Sequence, residues 1–282
     1  MKLVRFGEAG AEKPGMIGPE GDIRDLSGEV EDIAGEALTR AGMARLRSLD
    51  VSALPRVEGK PRLGPPVARV RKFIGVGLNY SDHAAELGQP IPAEPVLFSK
   101  AVSCICGPND DIILPPDAQK GDWEVELAIV IGERACRVSE AEAMDHVAGY
   151  CLCNDVTERA FQLEGTGQWL KGKSADTFGP IGPWLATADE IPNPQALSMF
   201  LDVNGVRMQS GSTATMVFGV RTLVSYISRF MTLEPGDIIT TGTPPGVGVG
   251  RKPPVFLKEG DMMHLGIEGL GEQRQIVVRA FA

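Results

Sequence analysis

The stretch Gly121-Asp122-Trp123-Glu124-Val125-Glu126-Leu127-Ala128-Ile129-Val130-Ile131-Gly132 decides how this chain is read. Strand alternation puts Trp123, Val125, Leu127, Ile129 and Ile131 on one face and Glu124, Glu126, Ala128 and Val130 on the other. After Glu126 both faces are apolar, so the strand runs into a core. Two ionised carboxylates on one face there repel each other, and each is costly to desolvate. A cation between them relieves both problems; the competing reading is a solvated sheet edge. The next strand-like run, Ala148 to Asp155, ends in a third acid. Glu124, Glu126 and Asp155 would then form an all-oxygen site, and with no Cys/His ligand set nearby such donors suit Mg²⁺, Mn²⁺ or Ca²⁺ rather than zinc.

The 282 residues suffice for one large domain or for a small domain plus a main one, and 43% hydrophobic with 23% charged residues is ordinary globular composition. A net charge of -9 without a basic cluster argues against a nucleic-acid partner. The start lacks the apolar core of a signal peptide and no later run is long enough to span a bilayer, so no membrane association and a cytoplasmic location are expected. Five cysteines, an odd count, do not suggest a disulfide framework; Cys104-x-Cys106 and Cys151-x-Cys153 have strand spacing and are expected as buried free thiols.

Outward from the central strand, Leu3 to Phe6 and Ile23 to Leu26 read as short strands around a Pro19-Glu20-Gly21-Asp22 turn, and Glu31 to Arg47 has helix-forming composition. The Pro/Gly-rich segment 55–67 is the natural boundary, giving a small N-terminal α/β domain over 1–66 and a main domain over 67–282. Lys72 to Gly77 reads as a buried strand leading into a short helix capped by Ser81 or Asp82 and stopped by Gly88. His83 and Glu86 are three apart on that helix, so the carboxylate can orient the imidazole; an exposed ion pair is the alternative. Pro95 to Lys100 reads as a strand. Ser139 to Glu142 is a capping-box pattern opening a helix over 140–147. Arg159 and Gln162 lie on a short segment beside Asp155, and the Gly-rich run 165–183, read as a loop, carries Trp169, Lys171 and Lys173. Phe218 to Met231 is an amphipathic helix. The strand Ile238 to Thr240 empties into Thr241-Gly242-Thr243-Pro244-Pro245-Gly246, whose amides and hydroxyls could hold a carboxylate or form a plain surface loop.

Together these motifs resemble the fumarylacetoacetate hydrolase (FAH) family. The resemblance rests on Gly77-x-Asn79-Tyr80-x-x-His83-x-x-Glu86, Phe98-x-Lys100, Glu124-x-Glu126, Asn154-Asp155, Gly172-Lys173-Ser174, Leu233-x-Pro235-Gly236-Asp237 and Thr241-Gly242-Thr243-Pro244-x-Gly246-Val247, in family order from about Lys72 to Val278. It implies an α+β, mainly β fold with an FAH-type mixed β-roll catalytic domain, a homodimer, and Mg²⁺ (Mn²⁺ possible) on Glu124, Glu126 and Asp155. It further implies cleavage of a keto-acid substrate: His83 as general base oriented by Glu86, Lys173 stabilising negative charge, Gln162 positioning water, and Thr243, Lys100, Tyr80 and Arg159 around the substrate. The order of motifs is most similar to the sugar-acid branch, whose substrate is 2,4-diketo-3-deoxy-L-rhamnonate, split to pyruvate and L-lactate. Ureidoglycolate lyase, acylpyruvase, oxaloacetate decarboxylase and 2-keto-3-deoxy acid dehydratase activities share the scaffold, and a non-catalytic metal-binding scaffold is the third class.

Overall fold

The computed structural model describes residues 1–280, so the last two residues of the expected 67–282 domain lie outside the described residues. The central strand forms as Val125–Ile131, with every residue buried. It pairs antiparallel with Val147–Asn154 on one side and Ile238–Thr240 on the other. Beyond Ile238–Thr240 the sheet continues through Phe73–Gly77, in parallel, to the edge strand Val96–Lys100. Beyond Val147–Asn154 it continues through Gly179–Thr187 to the N-terminal strands Lys2–Phe6, Lys13–Ile17 and Ile23–Asp25, making an eleven-stranded mixed sheet with its two short off-path strands. Segment 1–66, marked off by composition, therefore hydrogen-bonds onto the main sheet, and Leu3, Met16 and Leu26 join the same hydrophobic cluster as Leu127 and Ile129. The strand-dominated α+β architecture agrees with the sequence reading.

A five-stranded sheet packs against the central strands; its order is Val206–Ser212, Ser198–Val203, Met262–Ile267, Gly271–Arg279 and Ile112–Leu114. Its hairpin turns through Asn204 and Gly205, both with positive φ, as the Asn-Gly signal requires. Three fully buried glutamines tie this sheet to the first. Gln209 Oε1 accepts from Val125 N at 3.0 Å, Gln273 Nε2 donates to Leu152 O at 2.9 Å, and Gln275 Oε1 accepts from Asn154 Nδ2 at 3.1 Å. Buried backbone groups beside a register shift in the Val147–Asn154 ladder are satisfied this way rather than left unpaired.

The helices are few and short: α1 (Arg40–Arg47), α2 (Ser81–Glu86), α3 (Arg159–Leu163), α4 (Trp169–Lys173) and α5 (Val220–Ser228). Among the described residues no helix is long and apolar enough to cross a membrane. Cys104, Cys151 and Cys153 are buried free thiols as expected, while Cys106 is half-buried.

Four expectations need correction. The strand preceding the Pro19–Asp22 turn is Lys13–Ile17, hidden in the sequence by Pro14 and Gly15, which are disfavoured in strands. The run 165–183 is not a loop throughout: it holds α4 and the central strand Gly179–Thr187, whose Pro180 and Pro183 suppress the strand signal. No α-helix forms over 140–147. The capping-box bond from Ser139 Oγ to Glu142 Oε2 is made at 2.7 Å, but only a 3₁₀ turn follows, because His146 O must accept from Gly132 N as the chain re-enters the sheet. Finally, the N-cap of α2 is Tyr80, without a side-chain bond; Asp82 Oδ1 instead accepts from His83 N.

Gly149 shows how closely the central strands approach: a Cβ there would lie 2.1 Å from Ala186 O of the neighbouring strand. Gly149→Ala is therefore expected to destabilise the protein by about 1–3 kcal/mol through forced strand separation, read as a lowered urea midpoint.

Candidate active site

The strand pairing that opens the central sheet also brings the acids together. Glu126 lies opposite Cys153, one residue from Asn154, and the chain leaves the ladder at Asp155, whose N–H donates to Glu124 O at 2.9 Å. One oxygen each from Glu124, Glu126 and Asp155 falls within 4.8 Å of the others, and all three residues are buried. The expected set is thus assembled, and it is not on a solvated edge.

Around it the structure places three cations. Lys173 Nζ donates to Glu124 Oε2 at 2.5 Å and to Asp155 Oδ2 at 2.8 Å. Lys100 Nζ donates to Asp155 Oδ1 at 2.5 Å and to Phe178 O at 3.0 Å. Arg159 donates from Nη2 to Glu124 Oε1 at 2.6 Å and from Nε to Asp122 Oδ2 at 2.8 Å. Burial alone would raise the Glu124 carboxyl; Lys173 and Arg159 overcome it and hold its pKa down to about 2. Glu126 behaves oppositely. Burial, Asp155 and Glu124 push its pKa well up, and its one polar contact here is the N–H of Gly242 at 2.9 Å. Among the described residues no ion pair reaches Glu126, so the cluster holds one carboxylate still lacking a counter-charge. A hard, all-oxygen donor set with an unbalanced buried carboxylate fits a divalent cation such as Mg²⁺ or Mn²⁺.

Local sequence explains how the helices deliver these groups. α3 and α4 touch closely because Gly172 has no side chain; a Cβ there would meet Gln162 Cβ at 2.6 Å and Glu158 O at 2.6 Å. Arg159 and Gln162 share a face at i and i+3, and Arg159 Nη1 donates to Gln162 Oε1 at 3.0 Å. Ahead of α2, Leu78 adopts φ +52°, an uncommon conformation for a bulky residue that turns the chain from the Phe73–Gly77 strand into the helix. His83 is buried and its Nδ1 lies 2.9 Å from Oε2 of Glu86, which is exposed, so the imidazole member of the pair is withdrawn from the surface while the carboxylate is not. Glu86 Oε1 also accepts from Gly246 N at 2.9 Å, joining α2 to the 241–250 loop. Asn79 steadies the same loop by donating to Thr241 O at 2.8 Å.

His83, Glu124, Glu126, Arg159, Gln162, Lys173 and Thr243 line one cavity of about 390 Å³. Glu86 stands behind His83. Two expected substrate contacts lie elsewhere. Tyr80 is fully buried, with its hydroxyl 3.5 Å from Met199 Sδ, because helix entry turns it into the core. Lys100 is committed beneath Asp155. Thr243 lines the wall, but its hydroxyl already donates to Val125 O at 2.9 Å and accepts from Gln209 Nε2 at 2.7 Å. The sequence reading missed Asp122, which is fully buried and accepts from Trp123 N, Gly248 N and Val249 N as well as from Arg159. The two-residue spacing of Asp122, Glu124 and Glu126 was the available signal.

A model of the family described as fumarylacetoacetate (FAA) hydrolase C-terminal matches residues 72–278. A Burkholderia multivorans protein carrying a provisional hydrolase name is 61% identical over 277 residues, 98% of each chain. Among solved structures, a fumarylacetoacetate hydrolase from the psychrophile Exiguobacterium antarcticum is similar with TM-score 0.89 at 39% identity, covering 99% of this chain and 100% of that one. A probable 2-hydroxyhepta-2,4-diene-1,7-dioate isomerase from Mycobacterium abscessus gives TM-score 0.83 at 32% identity over 100% of both chains. Maleylpyruvate hydrolase from Sphingobium sp. SYK-6, in complex with manganese(II) and pyruvate, gives TM-score 0.82 at 29% identity over 100% of both chains.

Two outcomes follow from the charges. Because folding raises the Glu126 pKa, the metal-free protein keeps that contribution to stability at low pH and loses it as pH rises through the folded value. Thermal melts are expected to show Mg²⁺ or Mn²⁺ stabilising more strongly as pH rises, and Glu126→Gln should flatten this dependence while weakening the metal titration. Asp122→Asn takes from Arg159 one of its two buried carboxylate partners, Glu124 remaining, and should cost about 1.5–3 kcal/mol in urea unfolding.

Proposed function

The chain belongs to the fumarylacetoacetate hydrolase family, and from that premise we propose that it is a metal-dependent hydrolase cleaving the carbon-carbon bond of a 2,4-diketo acid to release pyruvate. The observation that carries this reading is that His83, held by Glu86, lines the same cavity as Glu124 and Glu126 of the carboxylate cluster. We place 2,4-diketo-3-deoxy-L-rhamnonate, which would yield pyruvate and L-lactate, as the first substrate to test within the class. A homodimer in the cytoplasm is part of the same proposal.

Glu124, Glu126 and Asp155 would hold Mg²⁺ or Mn²⁺, which when bound supplies Lewis-acid polarisation of substrate oxygens. With Nδ1 directed at Glu86, His83 keeps the hydrogen on that nitrogen and leaves Nε2 to take a proton from water. The resulting hydroxide adds to the C4 carbonyl, the C3–C4 bond breaks, its electron pair leaves with the pyruvate fragment, and C3 takes up a proton. Lys173 lines the cavity beside Glu124 and stabilises negative charge developing on the substrate. Gln162, its Oε1 occupied by Arg159, has its amide N–H groups left to donate to the water or oxyanion. Arg159 contributes positive charge toward the substrate carboxylate. Tyr80 and Lys100 act from behind, in the core and under Asp155, and Thr243 shapes the wall.

The likeness to the isomerase supports a second reading, in which the same His83 moves a proton between carbons and no bond between carbons breaks. Pyruvate release separates the two. The expected outcome is pyruvate from an acylpyruvate or from the rhamnonate, present with Mg²⁺ or Mn²⁺ and lost with chelator. His83→Ala should lower turnover at least about a hundredfold while leaving the metal titration unchanged; near-normal turnover by that variant would remove the general base from the proposal.

A further inference from the structure

Each of the three short helices at the site sets a polar residue a single turn from an apolar one, the latter lying within the helix or, for α2, at its C-cap: His83 with Leu87, Arg159 with Leu163, and Lys173 with Trp169. In each pair the polar member is the buried one, while Leu87 and Trp169 are half-buried and Leu163 is 52% exposed. All of them line the same cavity. The charged lining residues therefore sit at its inner end, and the ring toward the mouth is apolar. Phe98 completes that ring: its centroid lies 5.4 Å from that of Trp169, and Lys173 Nζ is 5.2 Å from the Phe98 ring, marking where charge gives way to aromatic surface. The position of Trp169 depends on Gly77, where a Cβ would meet Trp169 Cζ3 at 2.4 Å. Among the described residues that line this cavity, Gln89 lies two past Leu87 and is exposed, and its polar side chain is uncharged.

We infer that the outer ring of Leu87, Phe98, Leu163 and Trp169 selects substrates whose distal half, beyond the keto-acid end, is apolar and uncharged. This inference rests on the proposed keto-acid reading of the inner end and deepens it. A distal carboxylate would lose its hydration against this wall without meeting a cation, whereas an alkyl or methyl group leaves water for an apolar surface. A single hydroxyl can be met by Gln89; a second charge has no partner there.

The test uses binding, so that it does not depend on turnover. Calorimetry on the Mg²⁺-loaded full chain would compare 2-oxooctanoate, its ω-carboxylated analogue of equal length, and pyruvate. The alkyl-tailed acid is expected to bind at least about tenfold more tightly than either of the others, the scale of a few methylenes leaving water. Trp169→Ala should erase that advantage and Trp169→Phe should retain most of it. Leu163→Arg, at an exposed position that tolerates replacement, should shift preference toward the ω-carboxylate. Equal or tighter binding of the ω-carboxylate by the unaltered protein, or an order of affinities unmoved by Trp169→Ala, would overturn the inference. Absence of pyruvate release with the alkyl preference intact would defeat the proposed reaction and leave this selectivity standing.

Discussion

Four buried carboxylates, Asp122, Glu124, Glu126 and Asp155, face three buried cations, Lys100, Arg159 and Lys173, in one cluster of which Glu124, Glu126, Arg159 and Lys173 line the cavity. Isolated ions at such depth are prohibitively costly, and they persist only because each is paired or hydrogen-bonded. Much of the surrounding structure can be understood as the means of that pairing. Lys100 arrives from the end of a sheet strand, Arg159 and Lys173 from two one-turn helices held together at Gly172, and Asp122 from the residue that precedes the central strand. The mismatch of one charge falls on Glu126, whose pKa is raised while that of Glu124 is lowered. Two acids spaced two residues apart on one strand are thus placed in opposite protonation tendencies by their neighbours, a division that a divalent cation would remove.

The parts of the fold legible in the sequence are those where local pattern and tertiary demand agree. Val125–Ile131 is apolar on both faces because sheet partners flank it and a second sheet covers it, and its alternation carries the acids with it. The amphipathic α5 was readable for the same reason. The missed elements, Lys13–Ile17 and Gly179–Thr187, contain proline and glycine at positions where the sheet supplies what propensity denies. The reverse error occurred over 140–147, where the cap is chemically correct but the sheet reclaims the chain after four residues.

The site followed the same rule. Carboxylates, His83 and Glu86 could be nominated by type and spacing, and Lys173 through the family resemblance. What spacing could not supply was direction: Tyr80 and Lys100 sit beside cavity residues in sequence yet point into the core. Nor could it show that Asp122 anchors Arg159 and the 248–249 amides at once, since those partners come from remote parts of the chain.

Helices of five or six residues, as α2, α3 and α4 are, have no stability of their own in water, because nucleating the first turn costs more than its few hydrogen bonds return. Here each is fixed at its inner end by ionic contacts or a charged hydrogen bond, and its residue toward the mouth is held by apolar contacts, as Trp169 is against Phe98, or is exposed, as Leu163 is. Fraying should therefore begin at Leu87, Leu163 and Trp169 and stop where the charges are, so that amide exchange would be graded along single turns. Access to the cavity then needs no hinge between rigid bodies: the rim can loosen residue by residue while the floor stays ordered.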